Sequence, residues 1–208
     1  MSAPIDFYFD FMSPYGWFAA RQIDAIGAKF DREVTWRPLL LGVTVLQVMG
    51  LKALPDTPLK GDYLELDVPR TARLFKLPYH PPSPMPGNSL APARAYYWLF
   101  DRDPVAAKRL AQRLYDRQFA EATDVSPPDV VAAIAAETLG VDPAEVLAAI
   151  GDPKVKDRLR QAVDEAVARK AFGSPFFFVD GQPFWGSDRP RRPAMPRSLA
   201  ASSAEHTS

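Results

Sequence analysis

The amino-acid sequence predicts an α/β fold: an open sheet entered through a strand, a helix and a second strand, interrupted by a large helical insertion and completed by a helix and a β-hairpin. Three observations carry this reading. The run IDFYFDF sets Ile5, Phe7, Phe9 and Phe11 against Asp6, Tyr8 and Asp10, a period of two in β-favouring residues. From Gly42 to about Lys170 the strand signal stops, and helical periodicity punctuated by proline takes over. Finally, PFFFVDGQPFW places a turn dipeptide, Asp180 and Gly181, between two short apolar runs.

Taken in order, the first strand runs near 5 to 10 and ends just before Ser13 and Pro14. A serine suits a helix cap and a proline suits the first helical turn, so a helix is expected from about 14 to 29, with Trp17, Ala20, Ile23 and Ile26 on its apolar face. EVTWRPL is the next short strand, and strand, helix, strand in this space reads as a parallel crossover. The insertion holds helical segments at Tyr63 to Phe75, Pro92 to Phe100, Val105 to Glu121, Pro128 to Leu139 and Pro143 to Ile150, with a proline-rich irregular run from Leu77 to Leu90. Asp152 and Pro153 open the last strong helix, whose face carries Val155, Leu159, Ala162, Val163, Ala166 and Val167 and should pack on the sheet. Residues 1–41 and 152–189 thus form one unit, 42–151 the insertion, and 190–208 a disordered tail.

Composition narrows the function classes. A chain of 208 residues buries one substantial core. Lys plus Arg equal Asp plus Glu at 25 each, so no net basic field exists to hold nucleic acid. No apolar run approaches the roughly 18 residues that span a bilayer, and the amino terminus lacks the pattern of a secretory signal, which makes the cytoplasm the expected location. The absence of cysteine excludes disulfides and thiolate nucleophiles, so any sulfur chemistry must arrive with a ligand. His80 and His206 stand in a loop and in the tail, and no metal is expected. There is no G-x-S-x-G elbow, phosphate-binding loop or dinucleotide fingerprint.

One junction is unusual. Where thioredoxin-like oxidoreductases place C-P-x-C at the end of the first strand, this chain reads S-P-Y-G at 13 to 16. The pattern F-D-x-x-S-P-Y, together with WRP at 36 to 38, PLKGDY at 58 to 63, D-x-P-R at 67 to 70, NSLAPAR at 88 to 94, FGSP at 172 to 175 and FWGSDR at 184 to 189, resembles the 2-hydroxychromene-2-carboxylate isomerase family. That family is itself a branch of the DsbA-like thioredoxin superfamily, related to the kappa-class glutathione transferases. Where the kappa-class branch has asparagine after a glycine, Leu51 follows Gly50 here, so the isomerase branch fits better.

The resemblance implies a thioredoxin-like fold with a DsbA-like helical insertion, glutathione as cofactor and a homodimer. It makes Ser13 the catalytic residue: its hydroxyl, at a helix amino terminus, would donate to the glutathione thiolate and depress the thiol pKa. Ser174 and a cis Pro175 would present backbone groups to the tripeptide as an added strand. Ser187 and Asp188 would grip its γ-glutamyl end, Lys60 its glycine carboxylate, and Asp67 would reach it across a dimer interface. Arg37 could meet the carboxylate of a small-molecule substrate. Each has a structural alternative, such as a helix cap for Ser13 and an ion pair for Arg37.

The implied activity is glutathione-dependent isomerisation of 2-hydroxychromene-2-carboxylate or a related aromatic-catabolic pyruvate derivative, by reversible thiolate addition. A kappa-class-like transferase or peroxidase and a non-catalytic thioredoxin-like binding module are the alternatives. The family continues past FWGSDR into an amphipathic helix, whereas PRRPAMPRSLAASSAEHTS opens with prolines at 190, 193 and 196, so that helix is expected to be lost or altered, through a changed reading frame or terminus after Arg189.

Overall fold

The computed structural model describes residues 3–85 and 87–191. Its sheet consists of β1 (Ile5–Phe9), β2 (Val34–Pro38), β3 (Phe176–Val179) and β4 (Gln182–Trp185) in the order β2-β1-β3-β4. β1 and β2 pair in parallel, with Phe7 opposite Trp36, and β3 and β4 pair antiparallel. β1 therefore sits centrally, flanked by strands from both ends of the chain. This is a thioredoxin-like core with a helical insertion between its halves.

Between β1 and β2 lie α1 (Pro14–Ala20) and α2 (Ile23–Lys29). The single helix expected over 14 to 29 is broken at Arg21 and Gln22, because the Gln22 N–H turns to the carbonyl of Ala19 while its side chain donates to the carbonyls of Phe18 and Ser187. After β2 come a π-helical segment (Gly42–Val48), for which the sequence predicts no element, then α3 (Lys60–Phe75), α4 (Leu90–Phe100), α5 (Pro104–Phe119), α6 (Pro128–Leu139), α7 (Pro143–Gly151) and α8 (Pro153–Ala168). Proline occupies the first turn of α1, α5, α6, α7 and α8, where its missing N–H is not needed. Asp103, Asp142 and Asp152 cap α5, α7 and α8 through their carboxylates. The expected tail from residue 190 lies outside the described residues beyond the 3-10 turn Arg189–Arg191.

The pleat of β1 sends its side chains to two cores. Phe7 and Phe9 join Trp36, Phe177, Trp17 and the insertion helices in the larger one, where Phe7 stacks on Phe177 at 5.4 Å and meets the edge of Trp36 at 5.1 Å. Tyr8, Phe176 and Phe178 face Ala166 of α8 on the other side. On that side Tyr8 is buried and the Asp6 carboxylate is held by Arg37 and Arg169 at 2.7 and 2.6 Å. Both faces are covered, and α8 brings the counter-charge with it. No helix among the described residues is long and apolar enough to cross a membrane. Phe7→Ala should lower unfolding free energy by about 3–5 kcal/mol in urea titration, since neighbours on three strands cannot close the gap; a loss below about 1 kcal/mol would contradict this packing.

Candidate functional site

Between β1 and α1 the chain makes a tight turn organised by Asp10. Its carboxyl accepts the N–H of Met12 at 2.8 Å and that of Leu41 at 2.6 Å, and is bonded by the Ser89 side chain. Burial raises its pKa above the ordinary carboxylate value, and these three donors oppose the rise. The backbone of the same turn is gripped from the insertion. Tyr115 donates its hydroxyl to the Asp10 carbonyl at 2.9 Å, and Gln118, one turn along α5, donates Nε2 to the Phe11 carbonyl at 2.6 Å. Two successive carbonyls just before Ser13 are thus drawn toward one helix. Burial pushes the Tyr115 hydroxyl well above its usual range, which keeps it a donor at all ordinary pH.

Ser13 caps α1, accepting the Gly16 N–H at 3.1 Å, and is almost fully buried. Its hydroxyl donates to the carbonyl of Ser174 at 2.8 Å. The Ser174–Pro175 peptide is cis, as the sequence reading expected, and the Ser174 hydroxyl accepts the Asp10 N–H at 2.9 Å. Two serines from opposite ends of the chain therefore lock the β1 turn to the start of β3. The expectation that both backbone groups of Ser174 stand free is met by half: the carbonyl is taken by Ser13, while the N–H has no partner among the described residues.

Gly16, in the position of the second cysteine of C-P-x-C, has no room for a side chain. A Cβ there would fall 2.5 Å from the Tyr115 hydroxyl and 2.6 Å from Ser174 Oγ. Two hydroxyls occupy the volume that a second sulfur would need, so a dithiol cannot be restored without displacing them.

The other sequence-predicted residues are distributed unevenly. The 186–188 turn lies at this end of the sheet: the Gly186 N–H reaches the Pro175 carbonyl at 3.3 Å, and the Ser187 carbonyl accepts Gln22 at 3.0 Å. Asp188 is exposed beside Arg189. Asp67, on α3, accepts the Tyr15 hydroxyl at 2.7 Å and that of Tyr63 at 3.0 Å, tying α3 to the residue two beyond Ser13. Asp67 raises the Tyr15 pKa, after burial itself. Lys60 is exposed at the first residue of α3. Arg37 lies apart, in the ion pair with Asp6 on the α8 face of the sheet and 3.7 Å from Glu165. Beside the Ser174 loop, an apolar cavity of about 300 Å³ opens between the π-helical segment and the end of α8, lined by Val48, Met49, Val167 and Phe172 with Thr44 and Lys170.

Asp10, Tyr115 and Gln118 did not stand out as site residues in the sequence. Asp10 stands in F-D-x-x-S-P-Y, where an acid three residues before a cap serine is a readable signal; the two α5 residues follow only from tertiary packing.

A family model for the DSBA-like thioredoxin domain matches residues 4–194. Among curated proteins, the 2-hydroxychromene-2-carboxylate isomerase of Pseudomonas putida is 24% identical over 188 residues, covering 89% of each chain. The glutathione S-transferase kappa 1 of Homo sapiens is 26% identical over 197 residues, covering 89% of this chain and 86% of the human one. Among solved structures, a 2-hydroxychromene-2-carboxylate isomerase superposes with a TM-score of 0.82 at 24% identity, covering 98% and 99% of the two chains. A probable DsbA oxidoreductase from Streptomyces coelicolor gives 0.76 at 20% identity over 99% of this chain and 92% of its own.

Two outcomes follow from this geometry. Gly16→Ala should cost about 1–3 kcal/mol of stability, and the cost should shrink when Tyr115→Phe and Ser174→Ala remove the colliding hydroxyls; an unchanged cost in a double-mutant cycle would refute the steric account. A buried acid with a raised pKa contributes stability that is complete below its unfolded value, about 3.9, and is lost as pH rises through the folded one. The stability of the wild type minus that of Asp10→Asn should therefore fall as pH rises from about 4 toward neutrality. A difference that grows with pH would be contradictory.

Proposed function

The chain belongs to the DSBA-like thioredoxin family, and from that premise we propose that it is a glutathione-dependent isomerase of 2-hydroxychromene-2-carboxylate or a related aromatic-catabolic pyruvate derivative. The observation that carries the proposal is the Ser13 hydroxyl, buried opposite the cis Ser174–Pro175 bond with no space for a second sulfur at Gly16. Such a site handles a sulfur that comes and goes. It does not suit an internal disulfide.

The residues present fit a tripeptide thiol. The Ser174 N–H has no partner among the described residues and is suited to donate to a ligand carbonyl in the manner of an added strand. Asp188 and Ser187 would hold the γ-glutamyl ammonium and carboxylate. Lys60 would hold the carboxylate at the other end, and in a homodimer Asp67 would add a contact to the partner's ligand. Glutathione, when bound, supplies a nucleophilic sulfur that adds to and leaves a conjugated double bond, allowing the bond to rotate without consuming the thiol.

Ser13 does the electrostatic work. One lone pair of its oxygen is fixed by the Gly16 N–H, so rotation about the Cβ–Oγ bond changes chiefly where the proton points. In this structure it points to the Ser174 carbonyl. With a sulfur anion nearby the proton transfers its hydrogen bond to the stronger, charged acceptor and favours the thiolate over the thiol. Because α1 has only seven residues, its dipole contributes less than the single long helix expected from sequence would. The hydroxyl carries correspondingly more. The apolar cavity beside Phe172 would take the substrate ring.

The kappa-class likeness favours a second reading on the same site, transfer of glutathione to an electrophile. Turnover separates them: an isomerase returns all glutathione unchanged, whereas a transferase consumes it stoichiometrically with an aryl halide. Ser13→Ala should lower kcat/KM for isomerisation by about 100-fold, the order found when one preorganised donor to a developing anion is removed. Full activity in that variant would remove Ser13 from the mechanism.

A further inference from the structure

A second cavity, of about 310 Å³, lies on the other side of the π-helical segment, between that segment, α4 and α8. Its walls are apolar, from Leu40, Val43, Leu159 and Val163. Its charges are not balanced. Arg94, Lys156 and Arg160 line it against the single carboxylate of Asp164, and Arg160 has an exposed partner at 3.1 Å in Asp157 outside the cavity lining.

Arg94 is the telling member. It closes the NSLAPAR motif, which the glutathione site does not use, and it lies half-buried on α4. Its Nε is sealed from solvent without a hydrogen-bond partner, and its guanidinium makes no hydrogen bond or ion pair among the described residues. Arg32, whose side chain is fully buried, is by contrast matched by Asp180 at 2.9 Å. Sealing one donor of a guanidinium from water without an acceptor is costly, and a planar carboxylate would satisfy its donors in pairs. The apolar walls select against small hydrated ions such as chloride or phosphate and for an anion with a hydrophobic body.

We infer that this cavity is a second ligand site, distinct from Ser13, which binds a small organic carboxylate with an apolar body, its carboxylate on Arg94 and its body against Leu159 and Val163. Lys156 and Arg160 add attraction from the rim. The inference does not depend on glutathione use.

Benzoate is the probe, titrated calorimetrically into the full-length protein in a buffer free of other carboxylates. Saturable binding in the millimolar range or tighter is expected, with benzyl alcohol, its neutral counterpart, failing to compete. Arg94→Met should weaken binding about tenfold or more. Arg160→Gln, at an exposed rim residue whose side chain packs into no core, should weaken it by about twofold to fivefold, whereas Lys170→Gln, in the cavity beside Phe172, should leave it unchanged. Failure of benzoate to saturate, equal competition by benzyl alcohol, unaltered affinity in Arg94→Met or Arg160→Gln, or loss of binding in Lys170→Gln would each overturn the assignment.

Discussion

A hydrogen bond between residues 161 positions apart, from the Ser13 hydroxyl to the Ser174 carbonyl, is the contact on which the site depends. The core of this chain is split by an insertion, so its central strand and the strand beside it come from opposite ends of the sequence. Wherever such halves meet, the first turn of one and the first residues of the other must be fixed against each other. Here the seam is closed by two serines exchanging bonds across it, Ser13 to a carbonyl of 174 and Ser174 to the N–H of Asp10. The candidate catalytic group is part of the closure.

The insertion is more than an addition to this core. From α5, Tyr115 and Gln118 take the carbonyls of Asp10 and Phe11, and Asp116 between them accepts Trp17 Nε1 at 2.9 Å. Asp10 meanwhile gathers the N–H of Leu41, where the insertion begins, and the side chain of Ser89 at the start of α4. The turn is thus held on one side by the sheet and on the other by the helices, which leaves the Ser13 proton as its chief adjustable element. Preorganisation of this kind matters because a donor already aimed pays no reorganisation when charge arrives.

Much of this was legible in the sequence, for definite reasons. Period-two alternation located the strands, prolines at first turns located most helices, and FGSP at 172 to 175 marked the cis peptide by likeness. The misses were tertiary. Gln22 breaks the first helix because its amide is needed at Ser187, a partner 165 residues away. The π-helical segment has no periodicity that sequence inspection separates from a loop. The alternation of Asp6 and Tyr8 marks a strand without saying what covers that face, because the cations that do so, Arg37 and Arg169, come from another strand and from the residue after α8. Tyr115 and Gln118 sit among core residues on α5, where a buried donor reads like any other interior position.

The central claim is that the proton on Ser13 favours an ionised sulfur. It is tested most directly by following the thiolate absorbance of protein-bound glutathione against pH in the wild type and in Ser13→Ala. The account predicts a midpoint below the free-thiol range of about 8.5 in the wild type, and a displacement toward higher pH when the hydroxyl is removed. Coincident titration curves for the two proteins would contradict it.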